Sequence, residues 1–123
     1  MARILVAEDD RDIRELVKFT LELLSDHTVI EAVDGEEAIT AATTQMPDLI
    51  LLDLRMPKLG GLEACRRLKA NREVADIPVV ILSARGLDDE VQAGLDAGAT
   101  AYLIKPLDTA QLVADVDHFL ARA

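Results

Sequence analysis

An α/β fold of five parallel strands, each followed by a helix, is predicted by two features of this 123-residue chain. Short apolar runs alternate with longer amphipathic segments, the pattern of a parallel sheet covered by helices. Four of the runs also stop at a polar group. Ile4-Leu5-Val6-Ala7 meets Glu8-Asp9-Asp10, and Leu49-Ile50-Leu51-Leu52 meets Asp53. Val79-Val80-Ile81-Leu82 meets Ser83, and Tyr102-Leu103-Ile104 meets Lys105-Pro106. Ligands of open α/β sheets bind beyond the carboxyl ends of the strands, so four polar ends predict one site on one edge.

The elements follow in order. The first strand spans Arg3 to Ala7. Ile13, Leu16, Val17, Thr20, Leu21 and Leu24 then recur at helical spacing, with Asp10 or Asp12 at the helix start. Thr28 to Val33 reads as the second strand, and Asp34-Gly35-Glu36-Glu37 as a turn opening an Ala-rich helix that stops before Pro47. Asp48 to Asp53 is almost unbroken in apolar residues, as a strand buried on both faces requires. Met56-Pro57 through Gly60-Gly61 is a loop, Leu62 to Ala70 a helix, and Pro78 opens the fourth strand. Asp88 to Ala97 is a helix capped by Gly98, Ala101 to Ile104 the fifth strand, and Leu112, Val113, Val116, Phe119 and Leu120 mark the last helix. Right-handed crossovers place helices on both faces.

Composition narrows the function. The chain is long enough for one domain with its own core. With one Tyr and two Phe, that core is aliphatic. A net charge of −10 argues against a nucleic-acid surface, which needs clustered Lys and Arg, and against attraction to anionic membranes. The single cysteine, Cys65, excludes an internal disulfide and a cysteine zinc cluster, and is expected in the core; a reactive thiol is the lesser alternative. His27 and His118 lie far apart without partners at ligand spacing and are expected at the surface. No signal peptide or membrane-length apolar run is present, so the expected location is the cytoplasm.

The strand ends carry the chemistry. Glu8, Asp9 and Asp53 bring three carboxylates together, which raise one another's pKa unless a cation compensates. Oxygen ligands without His or Cys favour a hard ion such as Mg²⁺, with Mn²⁺ as an alternative. Lys105 supplies a positive charge suited to a phosphoryl oxygen, Ser83 a hydroxyl donor and Ala84 a backbone N–H. Together these describe stabilisation of a transferring phosphoryl group, and a carboxylate nucleophile there yields an acyl phosphate. Asp53, ending the central strand, is the candidate nucleophile. Taken singly, a strand-end Asp commonly caps a helix or a turn, Glu8-Asp9-Asp10 would favour a helix dipole, and Lys105-Pro106 would make an ordinary strand exit.

The set Glu8-Asp9, Asp53, Ser83-Ala84 and Lys105-Pro106, with Met56-Pro57, Gly60-Gly61 and Gly98-Ala99, resembles the receiver domain of bacterial two-component response regulators, the CheY-like family. The likeness covers essentially the whole chain. It implies a (βα)5 doubly wound, flavodoxin-like sheet with strand order 2-1-3-4-5, and one receiver domain over residues 1–123 without an output domain. It implies that Asp53 is the phosphoacceptor, taking phosphate from a phosphohistidine on a sensor histidine kinase or histidine phosphotransfer protein. Asp9, Asp53 and the Arg55 backbone carbonyl would hold Mg²⁺, with Glu8 acting through water. Lys105 would pair with the phosphoryl group, and its bond to Pro106 would be cis. Ser83 would move toward the phosphate and Tyr102 would turn into the space it leaves; a partly exposed strand aromatic is the plain alternative for Tyr102. The protein would catalyse only its own phosphorylation and dephosphorylation. It would signal through the face formed by the helix after Asp88, the strand Ala101 to Ile104 and the last helix.

Two departures refine the expectation. Thr100-Ala101 precede Tyr102 where winged-helix DNA-binding relatives usually carry an acidic pair, and the last helix carries Asp115 and Asp117 with only Arg122 near its end. A single-domain receiver acting on a protein partner, monomeric or a weak homodimer, without direct nucleic-acid contact, is therefore expected. The alternative is the N-terminal receiver fragment of a longer regulator with a DNA-binding or enzymatic output domain. Arg55 and Arg85, two residues beyond Asp53 and Ser83, are expected to edge the site and tune acyl-phosphate lifetime, with surface solvation as the competing role. An aspartate-nucleophile phosphatase would need a second Asp where Arg55 stands, and a flavodoxin would not carry acids after its first strand. A degenerate receiver is disfavoured because no acid or lysine of the set is missing.

Overall fold

A strand covered on both faces must be apolar along its length, and Leu49–Leu52 and Val79–Leu82 meet that demand up to the polar residue that ends each strand. The computed structural model describes residues 1–84 and 89–122. Its elements are β1 Arg3–Ala7, α1 Arg11–Leu23, β2 Thr28–Ala32, α2 Gly35–Gln45, β3 Leu49–Asp53, α3 Gly61–Ala70, β4 Val79–Ser83, α4 Asp89–Asp96, β5 Ala101–Ile104 and α5 Thr109–Arg122. The strands form one parallel sheet in the order β2-β1-β3-β4-β5. Every residue of β3 and β4 is buried, whereas the edge strands β2 and β5 are only partly covered.

Alternation along the strands divides the core. Leu5, Ile50 and Leu52 face α2 and α3 through Ala38, Ala42, Cys65 and Leu68. Ile4, Val6, Leu49 and Leu51 face α1 and α5 through Val17, Leu21, Val116 and Phe119. A smaller cluster of Leu54, Ile81 and Val91 seats α4 beside the end of β3, and Tyr102 packs against it. Each fully buried aliphatic side chain contributes about 1.5–3 kcal/mol, so the central strands anchor the sheet and fix the height of its carboxyl edge. Cys65 is buried, as expected.

Boundaries moved where side chains cap the backbone. β2 stops at Ala32 rather than Val33, because the Val33 N–H donates to Glu37 Oε1 (3.1 Å) and Asp34 caps α2 by accepting from the Glu37 N–H (2.8 Å). Asp10 caps α1, accepting from the Asp12 and Ile13 N–H groups at 2.9 and 3.2 Å. α4 starts at Asp89 among the described residues; Asp88 lies outside them. Gly98 closes the turn after α4 at φ +113°, a conformation that favours glycine.

One expectation fails. His27 is not a surface residue: its side chain is 9% exposed. Nδ1 accepts from the Ala2 N–H at 3.1 Å, and Nε2 lies 3.0 Å from Asp117 Oδ1. The start of β1 and the α5 helix close over it, a long-range arrangement that local spacing does not encode.

Gly61 makes a testable demand. A Cβ there would sit 2.0 Å from the Asp53 carbonyl oxygen. Gly→Ala in a helix ordinarily gains about 0.5–1 kcal/mol, but this contact is with backbone and cannot relax cheaply. Gly61→Ala is expected to lower stability by about 1–3 kcal/mol in urea unfolding; a stabilised variant would contradict the close approach.

Candidate functional site

Parallel strands in register deliver their last residues to one edge. Asp53 ends β3 opposite Leu82, and Ser83 ends β4 opposite Ile104, one residue before Lys105. Glu8 and Asp9 follow β1, and the Glu8 N–H continues the ladder by donating to the Ala32 carbonyl at 3.0 Å. The ends enclose a cleft of about 270 Å³ lined by Glu8, Asp9, Asp53, Arg55, Ser83, Ala84 and Lys105, among others.

At its floor, Lys105 Nζ donates to Asp53 Oδ1 at 2.7 Å and lies 2.6 Å from Glu8 Oε1. Asp53 and Glu8 are 5% and 1% exposed, so these charges face each other with little water between them. Asp9 is exposed at the rim. Glu8, Asp9 and Asp53 can each offer an oxygen such that the three lie within 4.8 Å of one another. The acidic run thus divides: Glu8 and Asp9 face the cleft, while the Asp10 carboxylate caps α1.

Three carboxylates gather here, and two of them, Glu8 and Asp53, share one ammonium. Burial pushes the Glu8 carboxyl above its usual range; Lys105 pulls it down, and the charge of Asp53 adds to the rise. Burial works against the Lys105 ammonium, but its close pairing with Asp53 and then with Glu8 outweighs it and raises its pKa. Glu8 Oε1 meets Lys105 as a charge pair yet accepts no aligned hydrogen bond from the protein. A buried carboxylate oxygen in that condition, with two more carboxylates beside it and no sulfur or imidazole, fits a hard divalent cation.

Of the other residues singled out in the sequence, Ser83 is 6% exposed and lines the cleft with Ala84. Arg55 lines it from the β3–α3 loop. That loop is pinned by the Gly35 N–H, which donates to the Leu59 carbonyl at 2.9 Å. The Lys105–Pro106 peptide is cis. Tyr102 is not brought to the cleft; it is half-buried against Leu54, Ile81 and Val91. Arg85 lies outside the described residues. Sequence reasoning missed Arg14, whose Nη1 donates to the Glu8 carbonyl at 2.9 Å. Its only signal was its place on the α1 flank that turns toward β2.

The raised Glu8 pKa gives a signed expectation. The folded state binds this proton more tightly than the unfolded one, so the stability linked to it is complete below the ordinary value of 4.5 and is lost as pH rises through the folded value. At neutral pH, above the ordinary value, Glu8 therefore burdens the metal-free fold. In EDTA, Glu8→Gln is expected to melt higher than the unaltered protein at neutral pH, with the gap narrowing as pH falls toward 4.5. Identical melting temperatures at neutral pH would contradict this.

Comparison with known proteins agrees with this geometry. A family model for the response regulator receiver domain matches residues 4–117. The chain is 43% identical over 123 residues to the DNA-binding dual master transcriptional regulator RpaA of Synechocystis sp., covering 99% of this chain and 50% of that protein. It is 45% identical over 120 residues to the transcriptional regulatory protein PrrA of Mycobacterium tuberculosis, covering 98% and 50%. The chain thus spans about half the length of the curated relatives it matches. Among solved structures, the Vibrio cholerae chemotaxis response regulator CheY4 superposes with a TM-score of 0.90 at 28% identity, covering 97% of this chain and 98% of that one. The receiver domain of Francisella response regulator 1452 gives 0.88 at 31%, covering 99% and 98%. The five-stranded sheet, the residues at its carboxyl edge and these matches lead to one conclusion: the chain belongs to the response regulator receiver domain family of two-component systems.

Proposed function

We propose that Asp53 is the phosphoacceptor of a signalling switch, taking a phosphoryl group from a phosphohistidine on a sensor histidine kinase or histidine phosphotransfer protein. The observation that carries this reading is the gathering of Glu8, Asp9 and Asp53 at the end of a fully buried strand, with Lys105 paired to Glu8 and Asp53. An Asp53 carboxylate oxygen attacks phosphorus, the P–N bond to the imidazole breaks, and its electron pair returns to the ring nitrogen. The product is an acyl phosphate. Asp9, Asp53 and the Arg55 carbonyl would hold Mg²⁺ (or Mn²⁺) directly, and Glu8 through water. When bound, the cation offsets the charge of the carboxylates and of the incoming phosphoryl oxygens.

The protein's own groups supply the rest by position and charge. Lys105 follows the phosphoryl oxygens from its place beside Asp53. The Ser83 hydroxyl and the Ala84 N–H donate from the end of β4, between the strands that lead to Asp53 and Lys105. No separate substrate is turned over, so the chain catalyses only its own phosphorylation and dephosphorylation. Arg55 edges the site, and it and Arg85, two residues beyond Ser83 in the sequence, set how long the acyl phosphate survives.

Phosphorylation adds roughly −1.5 to −2 charges. Ser83 shifts toward them and Tyr102 turns inward, changing the face formed by α4, β5 and α5 and hence partner binding. Support for this coupling is the packing of Tyr102 on Leu54, the neighbour of Asp53, and on Val91 of α4. The acidic residues Asp115 and Asp117 on α5 favour a protein partner over nucleic acid, for a stand-alone receiver that is monomeric or weakly dimeric. No helix among the described residues is long and apolar enough to cross a membrane, and we place the activity in the cytoplasm. A second reading is the same switch at the head of a longer DNA-binding regulator, favoured by the half-length coverage of RpaA. The length of the native protein in its source cells decides between them.

Incubation with Mg²⁺ and acetyl phosphate, followed by intact-mass analysis, is expected to add one phosphoryl group, and none in EDTA or in Asp53→Ala. Undiminished labelling of Asp53→Ala would sink the assignment. Arg55→Ala is expected to change the decay rate of the acyl phosphate; a rate equal to that of the unaltered chain would remove Arg55 from the rim role.

A further inference from the structure

The Glu8 backbone is fastened on both sides just past the end of β1. Its N–H donates to the Ala32 carbonyl at 3.0 Å, and its carbonyl accepts from Arg14 Nη1 at 2.9 Å. The same guanidinium donates through Nε to Glu31 Oε1 at 3.1 Å, and Lys18 Nζ lies 3.5 Å from Glu31 Oε2. The Arg14 side chain is 15% exposed, far less than an ordinary surface arginine. A planar guanidinium serves two partners in fixed directions, which a lysine cannot do.

The side chain of Glu8 is also restrained, because Oε2 accepts from the Asp10 N–H at 3.2 Å. With the backbone fastened and one carboxylate oxygen held, Oε1 is left directed at the cluster it shares with Asp53 and Lys105. Asp9 is the next residue of the same fastened segment. The clasp from α1 through Arg14 to Glu31 on β2 therefore sets where both carboxylates that follow β1 stand.

We infer that Arg14 is a positioning residue for a divalent cation: it holds the Glu8 carbonyl, with Glu31 orienting it, so that Glu8 and Asp9 face Asp53 as a preformed ligand set. This rests on the reading that such a cation binds there. Coulomb's law alone gives the opposite sign, since deleting a positive charge beside three carboxylates strengthens cation binding. Loss of outer partners that orient metal ligands typically weakens affinity about 10–100-fold. The two accounts differ in direction, which makes the role testable.

Isothermal titration of Mg²⁺ into the full chain tests it, at a temperature where each variant is shown by its melt to be folded. Arg14→Leu is expected to weaken Mg²⁺ binding about tenfold. Arg14→Lys, which keeps the charge without the fork, weakens it too. Glu31→Gln keeps an acceptor for Arg14 and gives a smaller loss. Arg11→Leu removes the same charge from a side chain 79% exposed and paired with Glu15, and leaves affinity equal or tighter. If the unaltered chain binds Mg²⁺ and Arg14→Leu binds it as tightly or more tightly, the inference is overturned while the cation reading stands. If the unaltered chain binds no Mg²⁺, both fall. Should Arg14→Leu fail to fold, an unchanged affinity in Glu31→Gln overturns the inference.

Discussion

Everything at the carboxyl edge depends on one constraint: the Asp53 carboxylate ends a strand buried along its whole length, and so must be met by charge. The meeting partner is Lys105, 2.7 Å away and carried by the neighbouring but one strand, β5. That pairing requires β3, β4 and β5 to lie parallel and in register, because a shift of one residue would turn these side chains to the other face. Glu8 adds a second buried carboxylate to the same ammonium. The cluster thereby holds more carboxylates than ammonium groups, a condition that a divalent cation would relieve.

The fold makes this tension tolerable by rigidity around it. Asp53 is followed by Leu54, which packs with Ile81 and Val91, and the Gly61 N–H donates to the Leu54 carbonyl at 2.9 Å. The β3–α3 loop is tied to α2 through Gly35 and Leu59, and the Glu8 segment is tied to α1 and β2 through Arg14 and Ala32. The edge elements that carry no acid of the cluster, β2 and α2, thus act as its outer frame. On the other side, Tyr102 and Val91 share a small cluster with Leu54, so a rearrangement at Asp53 has packed neighbours through which to reach α4 and β5.

Much of this was legible in the sequence because it is written in strong local signals. Unbroken apolar runs located β3 and β4, and the polar residues that ended them located the site before any contact was known. Helical spacing located α1 and α5. What escaped reading depends on partners distant in the chain. The end of β2 at Ala32 follows from Glu37 and Asp34 capping back on the turn. His27 looked like a surface residue because its partners, Ala2 and Asp117, lie at opposite ends of the chain. The role of Arg14 has no local signature, since nothing near it in the sequence links it to the Glu8 carbonyl or to Glu31.

The proposed switch depends on Asp53 being the carboxylate that accepts the phosphoryl group. Borohydride reduces an acyl phosphate to the alcohol, so a phosphorylated aspartate becomes homoserine and can be located by peptide mass spectrometry. After treatment with acetyl phosphate and Mg²⁺, homoserine is expected at position 53 and at no other aspartate, dependent on the cation. Homoserine at Asp9 or elsewhere, with Asp53 intact, would contradict it.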